Sequence, residues 1–211
     1  PVIDRIYRGR NIANLDDLEN GLKGLTHFNV LKGMPQAAQI LANAVVQNKR
    51  IIIVGDFDAD GATSTSVCIL ALRAMGYQNV DFLVPNRFDF GYGLSVPIVD
   101  EAAKQGAEVI VTVDNGISCI DGVTHAKSLG MQVVVTDHHL PGDVLPPADA
   151  IVNPNQPGCE FPSKNLAGVG VAFYIMLALK AELQQQGHFE KAGVAPPNLA
   201  SLLDIVAVGT V

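Results

Sequence analysis

The chain has 211 residues, 48% hydrophobic and 17% charged, an ordinary globular composition that excludes an intrinsically disordered chain. Its formal net charge of −7 excludes a strongly basic nucleic-acid-wrapping protein. Nucleic acid stays open as a substrate, because an acidic site that gathers cations then attracts phosphate. Cys68, Cys119 and Cys159 are far apart and form no C-x-x-C pair, so neither a disulfide framework nor a structural zinc site is expected. No apolar run reaches the roughly 18 residues that span a bilayer, and Pro1 to Arg10 shows no secretory signal. These features predict a cytoplasmic protein with no membrane partner.

In chain order, a helix is expected over 35–47, where Ala37, Ala38, Ile40, Leu41, Ala44 and Val45 fall at helical spacing. A strand over 50–54 leads to a helix over 62–75 closed by Gly76. A strand over 80–84 precedes a loop, 85–94, rich in glycine and aromatics. A helix over 96–105, a strand over 108–113, a helix over 121–129, a strand over 132–136 and a short strand over 150–152 follow. Beyond Pro162 the pattern turns helical, over 168–186 and 199–208, with a loop over 187–197 between them.

Branched apolar runs alternating with helices mark a parallel sheet covered on both faces. The expected class is α/β, with a mostly parallel five-stranded sheet. Its parts are an N-terminal helical lead (1–48), a core carrying a metal site (49–160) and C-terminal helices (161–211). The chain stops within the apolar stretch 202–211, whereas chain ends are usually solvated, which predicts a longer natural protein.

Three acidic motifs each follow a predicted strand: Asp56-Phe57-Asp58-Ala59-Asp60-Gly61, Asp114-Asn115-Gly116 and Asp137-His138-His139. Ligands of an open parallel sheet bind beyond the carboxyl ends of its strands, so three such motifs at one edge converge on one site. Clustered carboxylates either protonate or recruit cations. Oxygen ligands with one or two imidazoles suit Mn²⁺ or Mg²⁺. Two such ions about 3.5–4 Å apart can hold a phosphoryl group, one activating a water and the other neutralising the leaving oxygen.

The competing readings are plainer. Asp56 to Gly61 also opens a calcium loop, but the position that needs a bidentate Glu is Val67, and a strand stands where a helix is required. Asp114-Asn115-Gly116 alone is a common turn. Gly168-Val169-Gly170 either offers backbone amides to a phosphate or permits close packing, and both stay open. In the 85–94 loop Arg87 suits phosphate and Tyr92 suits base stacking, against a plain hydrophobic lid. Asp204, flanked by Leu202, Leu203, Ile205 and Val206, reads as a buried carboxylate in need of a partner, and a metal is expected to supply it.

These motifs resemble the DHH phosphoesterase superfamily, whose signature is matched by Asp137-His138-His139. The wording is closer still to its RecJ single-strand exonucleases: Gly55 to Gly61, Thr112 to Ser118, Thr136 to Gly142, Val152 to Asn155, Leu166 to Ala172 and Leu203 to Val211 all read as in that family. The resemblance implies a two-metal hydrolase using Mn²⁺ or Mg²⁺. It would digest single-stranded DNA from the 5′ end to mononucleotides, in recombination and repair. A single-strand-binding protein and a helicase are the further partners it suggests.

By the match, Asp56, Asp58, Asp60, Asp114, His138 and Asp204 surround the metals, with Asp114 between the ions. His139 lies beside the scissile phosphate, and Asp137 orients the histidines, direct ligation staying open. Other superfamily members carry a histidine in the strand before the first Asp; Ile52 holds that place here, which favours the exonuclease branch. The family continues into C-terminal DNA-binding domains, expected here as missing partners on the same polypeptide. The alternatives are a family enzyme for short oligonucleotides or cyclic dinucleotides, and a silent binding module. The second is disfavoured because every expected acid and histidine is present. A nucleotide-cofactor enzyme would need a phosphate-loop motif, which is not found.

Overall fold

The computed structural model describes residues 2–10, 12, 24–86 and 91–211. Five strands, β1 (Ile51–Gly55), β2 (Val80–Leu83), β3 (Val109–Val113), β4 (Gln132–Thr136) and β5 (Ala150–Val152), form one sheet in the order β2-β1-β3-β4-β5. Every pairing is parallel. The period-two alternation of each strand divides the core in two. Ile51, Ile53, Val109, Val111 and Val134 face one hydrophobic cluster; Ile52, Val54, Ile110, Val133 and Val135 face the other. Ile51, Ile52 and Ile53 are fully buried, each contributing on the order of 2 kcal/mol from apolar burial.

Helices α2 (Met34–Val46), α3 (Ala59–Ala74) and α6 (Gly168–Gln185) cover the first face, and α4 (Val96–Lys104) and α5 (Ile120–Ser128) the second. Three further helices are α1 (Val2–Gly9), α7 (His188–Ala192) and α8 (Leu203–Thr210). α8 packs on α3 and α6.

Most expected elements stand within a residue or two, and the differences are few. The helical lead holds α1 and a 3₁₀ turn, Phe28–Val30, besides the one helix placed in it. α3 begins at Ala59, inside the acidic motif, because Asp58 is its N-cap and accepts from Gly61 N–H at 2.9 Å. The expected 187–197 loop contains α7, started and stopped by Gly187 and Gly193 in left-handed backbone. The last helix opens as a 3₁₀ turn, Leu199–Leu202, before α8. Arg87 lies outside the described residues.

The chain goes from β1 out to β2, then returns past β1 to β3, so connections reverse between β1 and β3. That crevice is where such a sheet binds ligands. Register sharpens the placement: Gly55 pairs with Val113, Val113 with Thr136, and Thr136 with Val152. The next residues, Asp56, Asp114, Asp137 and Asn153, therefore leave the sheet side by side.

Candidate metal centre

Asp56 and Asp114 are almost fully buried, at 3% and 1% exposure, while Asp58 is exposed. One carboxylate oxygen from each of the three falls within 4.8 Å of the others. A second group within the same limit joins Asp114 to His138 and His139. Asp114 is common to both. Its backbone is left-handed, φ 61°, a sparsely populated region for a residue with a side chain. Asn115 braces that turn: its fully buried side chain donates to Val54 O of β1 at 3.0 Å and to Val113 O of β3 at 2.9 Å. The carbonyls preceding the first and second acidic motifs are thus tied together.

Asp114 Oδ1 lies 3.0 Å from His138 Nε2, yet it is buried with no partner in hydrogen-bond geometry. A buried anionic oxygen without a donor is costly. Burial, with the nearby charges of Asp60 and Asp58, pushes the Asp114 carboxyl up to about 6 against the opposing pull of His138. The His138 imidazole is raised chiefly by its contact with Asp114. An orphaned buried oxygen, two further carboxylates and an imidazole fit a divalent cation such as Mn²⁺ or Mg²⁺.

Asp137 faces the other way. Its Oδ1 accepts from His138 N–H at 2.7 Å, His139 N–H at 3.1 Å and the His139 ring Nδ1 at 2.7 Å, and its Oδ2 accepts from Ile117 N–H at 2.8 Å. Burial alone would raise its pKa, but hydrogen bonds from the His139 ring and the Ile117 and His139 amides overcome that and hold it below the ordinary value. The same contact lifts His139 to about 9. With both oxygens committed, Asp137 orients His139 and joins neither candidate ligand group.

Asp60, expected beside the metals, makes hydrogen bonds of its own. Its Oδ2 accepts from Gly168 N–H at 2.8 Å and its Oδ1 from Val169 N–H at 2.6 Å, so it caps the N-terminus of α6. It also stands 3.5 Å from His138 Nε2. The Gly168 and Val169 amides, which one of the two open readings offered to a phosphate, are taken by this carboxylate. Gly168 instead provides clearance: a Cβ there would sit 2.6 Å from Asp114 Oδ1. Gly170 is a packing residue too, its missing Cβ filled by Leu166. At both glycines the chain packs too closely to admit a side chain unmoved.

The burial expected of Asp204 is not found. It is exposed, its Oδ1 accepting from Ile205 N–H at 2.8 Å, and it falls in neither ligand group. On α8 it shares the exposed face with Ala207 and Val208, while Ile205, Val206 and Gly209 turn inward.

Tyr92, 53% exposed, stands edge-on to His139 with ring centroids 6.4 Å apart and edge-on to Phe57 at 6.5 Å. Burial and the neighbouring Asp56 carboxylate raise its hydroxyl pKa. A cleft of about 750 Å³ opens beside it, bordered by His139, Asp137, Ser95, Ser118 and Cys119. Among the described residues no helix is long and apolar enough to cross a membrane.

A family model described as the DHH family, N-terminal domain, matches residues 50–210. The chain is 57% identical over 211 residues to the single-stranded-DNA-specific exonuclease RecJ of Escherichia coli, covering 100% of this chain and 37% of that protein. It is 44% identical over 181 residues to the exonuclease of that name from Bacillus subtilis, covering 86% of this chain and 21% of the relative. Among solved structures it resembles RecJ from Thermus thermophilus in complex with Mn²⁺, with a TM-score of 0.72 at 33% identity, over 97% of this chain and 27% of that one. It also resembles exonuclease RecJ bound to manganese, with a TM-score of 0.70 at 36% identity, over 85% of this chain and 43% of that one. The chain spans about 37% of the length of the Escherichia coli relative.

Proposed function

Because the chain belongs to the DHH family, we propose that it is the divalent-metal hydrolytic core of a single-stranded-DNA-specific exonuclease, cleaving 5′ to 3′ and releasing mononucleotides. The observation that carries this reading is the buried Asp114, the residue common to a carboxylate trio and a group with His138 and His139. Asp56, Asp58, Asp114 and His138 would hold two Mn²⁺ or Mg²⁺ ions, with Asp114 common to both candidate ligand groups. Bound there, the cations would supply an activated water and charge neutralisation at the phosphate.

The chain's own residues do the rest. Asp137 keeps His139 charged and aimed, so that its free ring nitrogen can donate to a phosphate oxygen or to the leaving group. Asn115 keeps the β1 and β3 termini at fixed spacing. The cleft beside His139 would receive the terminal nucleotide, with Tyr92 at its rim as a stacking surface. The lead (1–48), the core (49–160) and the C-terminal helices (161–211) would act as one catalytic unit, since α2, the sheet and α6 contribute to one hydrophobic cluster.

The acidic net charge leaves the grip on DNA to domains beyond this chain. The longer relatives support that division. A cytoplasmic place in recombination and repair, beside a single-strand-binding protein and a helicase, belongs to the same reading.

The test is product release from 5′-labelled single-stranded DNA and from dinucleotides with Mn²⁺. Mononucleotides from the long strand support the exonuclease. Turnover confined to dinucleotides would fit either the short-oligonucleotide branch or an exonuclease core without its DNA-binding domains, and hydrolysis of neither would refute the reading.

A further inference from the structure

His138 and His139 leave β4 into irregular chain, where no ladder pairs their peptide groups, yet all four of those groups are satisfied by side chains. Asp137 Oδ1 takes both N–H groups, as described above. The carbonyls go to the opposite side: Asn155 Nδ2 donates to His138 O at 2.6 Å, and Asn153 Nδ2 donates to His139 O at 2.9 Å. The two asparagines are themselves locked together, because Asn153 Oδ1 accepts from Asn155 N–H at 2.7 Å. Lys164 secures their turn from outside, its ammonium donating to Pro154 O at 2.7 Å and Cys159 O at 2.9 Å.

The sheet dictates this placement. Thr136 pairs with Val152, so the chain leaving β4 and the chain leaving β5 run abreast, and Asn153 emerges beside Asp137. Asn153 is fully buried, where a carboxamide must find partners. A dipeptide gripped on both its donors and both its acceptors has little freedom to rotate. Its imidazoles then point where the backbone sends them, one towards Asp114 and one towards the cleft.

We infer that Asn153 and Asn155 are positioning residues: a paired carboxamide clamp that fixes the His138-His139 backbone and thereby aims the ligand and the phosphate-side imidazole. The inference rests on the metal-site reading for its consequence, and on the hydrogen bonds alone for the clamp itself. The two residues divide the work, Asn155 serving the candidate ligand His138 and Asn153 serving His139.

The variants are Asn155→Ala and Asn153→Asp in the full chain. The second keeps the oxygen that accepts from Asn155 N–H and replaces the donor to His139 by an acceptor oxygen, adding a buried negative charge that itself favours the cation. Should Asn155→Ala fail to fold, Asn155→Asp, of the same size, replaces it. Two measurements separate the clamp from the metal site: backbone ¹⁵N relaxation of the metal-free chain, and Mn²⁺ uptake followed by electron paramagnetic resonance. Nanosecond motion should rise at residues 138 and 139 while 132–136 stay rigid. The Mn²⁺ dissociation constant should rise about 10-fold in Asn155→Ala but less than about 3-fold in Asn153→Asp, within the range typical of side chains that orient metal ligands.

Unchanged relaxation at 138 and 139 in both variants overturns the clamp, as does an equal loosening of all of β4. Wild-type chain that takes up no Mn²⁺ while the variants still loosen 138 and 139 would instead sink the metal-site reading and leave the clamp standing.

Discussion

Replacing Gly168 with alanine sets two effects of opposite sign against each other. Alanine in place of glycine ordinarily favours a helix by about 0.5–1 kcal/mol, and at the first position of α6 the gain is at most that. Against it stands contact: the new Cβ would lie 2.6 Å from Asp114 Oδ1 and 2.8 Å from both Cβ and Cγ of the same residue. Asp114 has nowhere to retreat, being 1% exposed, held in left-handed backbone and facing His138 at 3.0 Å. Overpacking of this kind costs about 1–3 kcal/mol, so the clash wins and the net loss is on the order of 1–2 kcal/mol. Displacing Asp114 should also weaken Mn²⁺ uptake.

Gly170→Ala is the control. Its Cβ would meet Leu166 Cδ1 at 2.5 Å, the end of a half-buried side chain that can swing away, so stability should stay near wild type. Urea denaturation with Mn²⁺ titration reads both variants. Gly168→Ala at wild-type stability or above, with Mn²⁺ binding intact, would refute the claim that this glycine exists to make room for Asp114.

Asp114→Asn should abolish Mn²⁺ uptake and turnover while making the metal-free chain more stable at pH 7. The folded-state pKa of about 6 lies above the ordinary 3.8, so the native carboxylate loses stability as pH rises through that window, at most about 3 kcal/mol; a less stable variant would contradict this. Added Mn²⁺ should accordingly raise the unfolding midpoint of the wild type and leave Asp114→Asn unmoved. His139, raised to about 9 from 6.5 by Asp137, lends the metal-free fold stability that is full below pH 6.5 and lost as pH climbs towards 9; the difference between wild type and His139→Gln in denaturation at pH 6 and pH 9 should shrink accordingly. Asp60→Ala removes both acceptors from the start of α6 and should cost about 1–2 kcal/mol in urea denaturation, whereas Asp60→Asn, keeping one oxygen, should cost less.

The sheet was legible because its signal is redundant: branched runs such as Ile51-Ile52-Ile53-Val54 are buried on both faces, and each is bounded by a glycine or an acidic turn. The convergence of Asp56, Asp114 and Asp137 was legible for the same reason, since strand ends are set by strands. What could not be read was which way each acid turns once it leaves the strand. Asp58 and Asp60 lie two residues apart in a motif that reads as loop, yet one caps α3 and the other caps α6, more than a hundred residues away in sequence. Local pattern carries no information about a donor that arrives from a distant helix. The burial read from the apolar flanks of Asp204 misled for a related reason: alternate faces of one short helix meet solvent and protein. The asparagines after β5 gave a weak signal, two carboxamides flanking a proline, whose meaning appears only when β4 and β5 are laid side by side.

Asp114 gathers the unfavourable features of the molecule on one residue: left-handed backbone, burial, an oxygen with no donor and two like charges nearby. Each alone is tolerable at a cost of about 1–3 kcal/mol, and strained or unsatisfied groups persist where the surroundings over-determine them. Here the surroundings do so from three directions, through the Asn115 brace, the space left by Gly168 and the histidine opposite. A cation placed against Asp114 would relieve the charge terms together, so the same features that weaken the metal-free site drive metal uptake. The two halves of the site, carboxylates that follow β1 and imidazoles that follow β4, meet most closely at this side chain, with Asp60 a second contact at 3.5 Å from His138 Nε2. A substitution at Asp114 should therefore disturb both halves at once, whereas one at Asp56, whose charge ranks below those of Asp137 and Asp114 among the causes that raise His139, should lower the His139 pKa less.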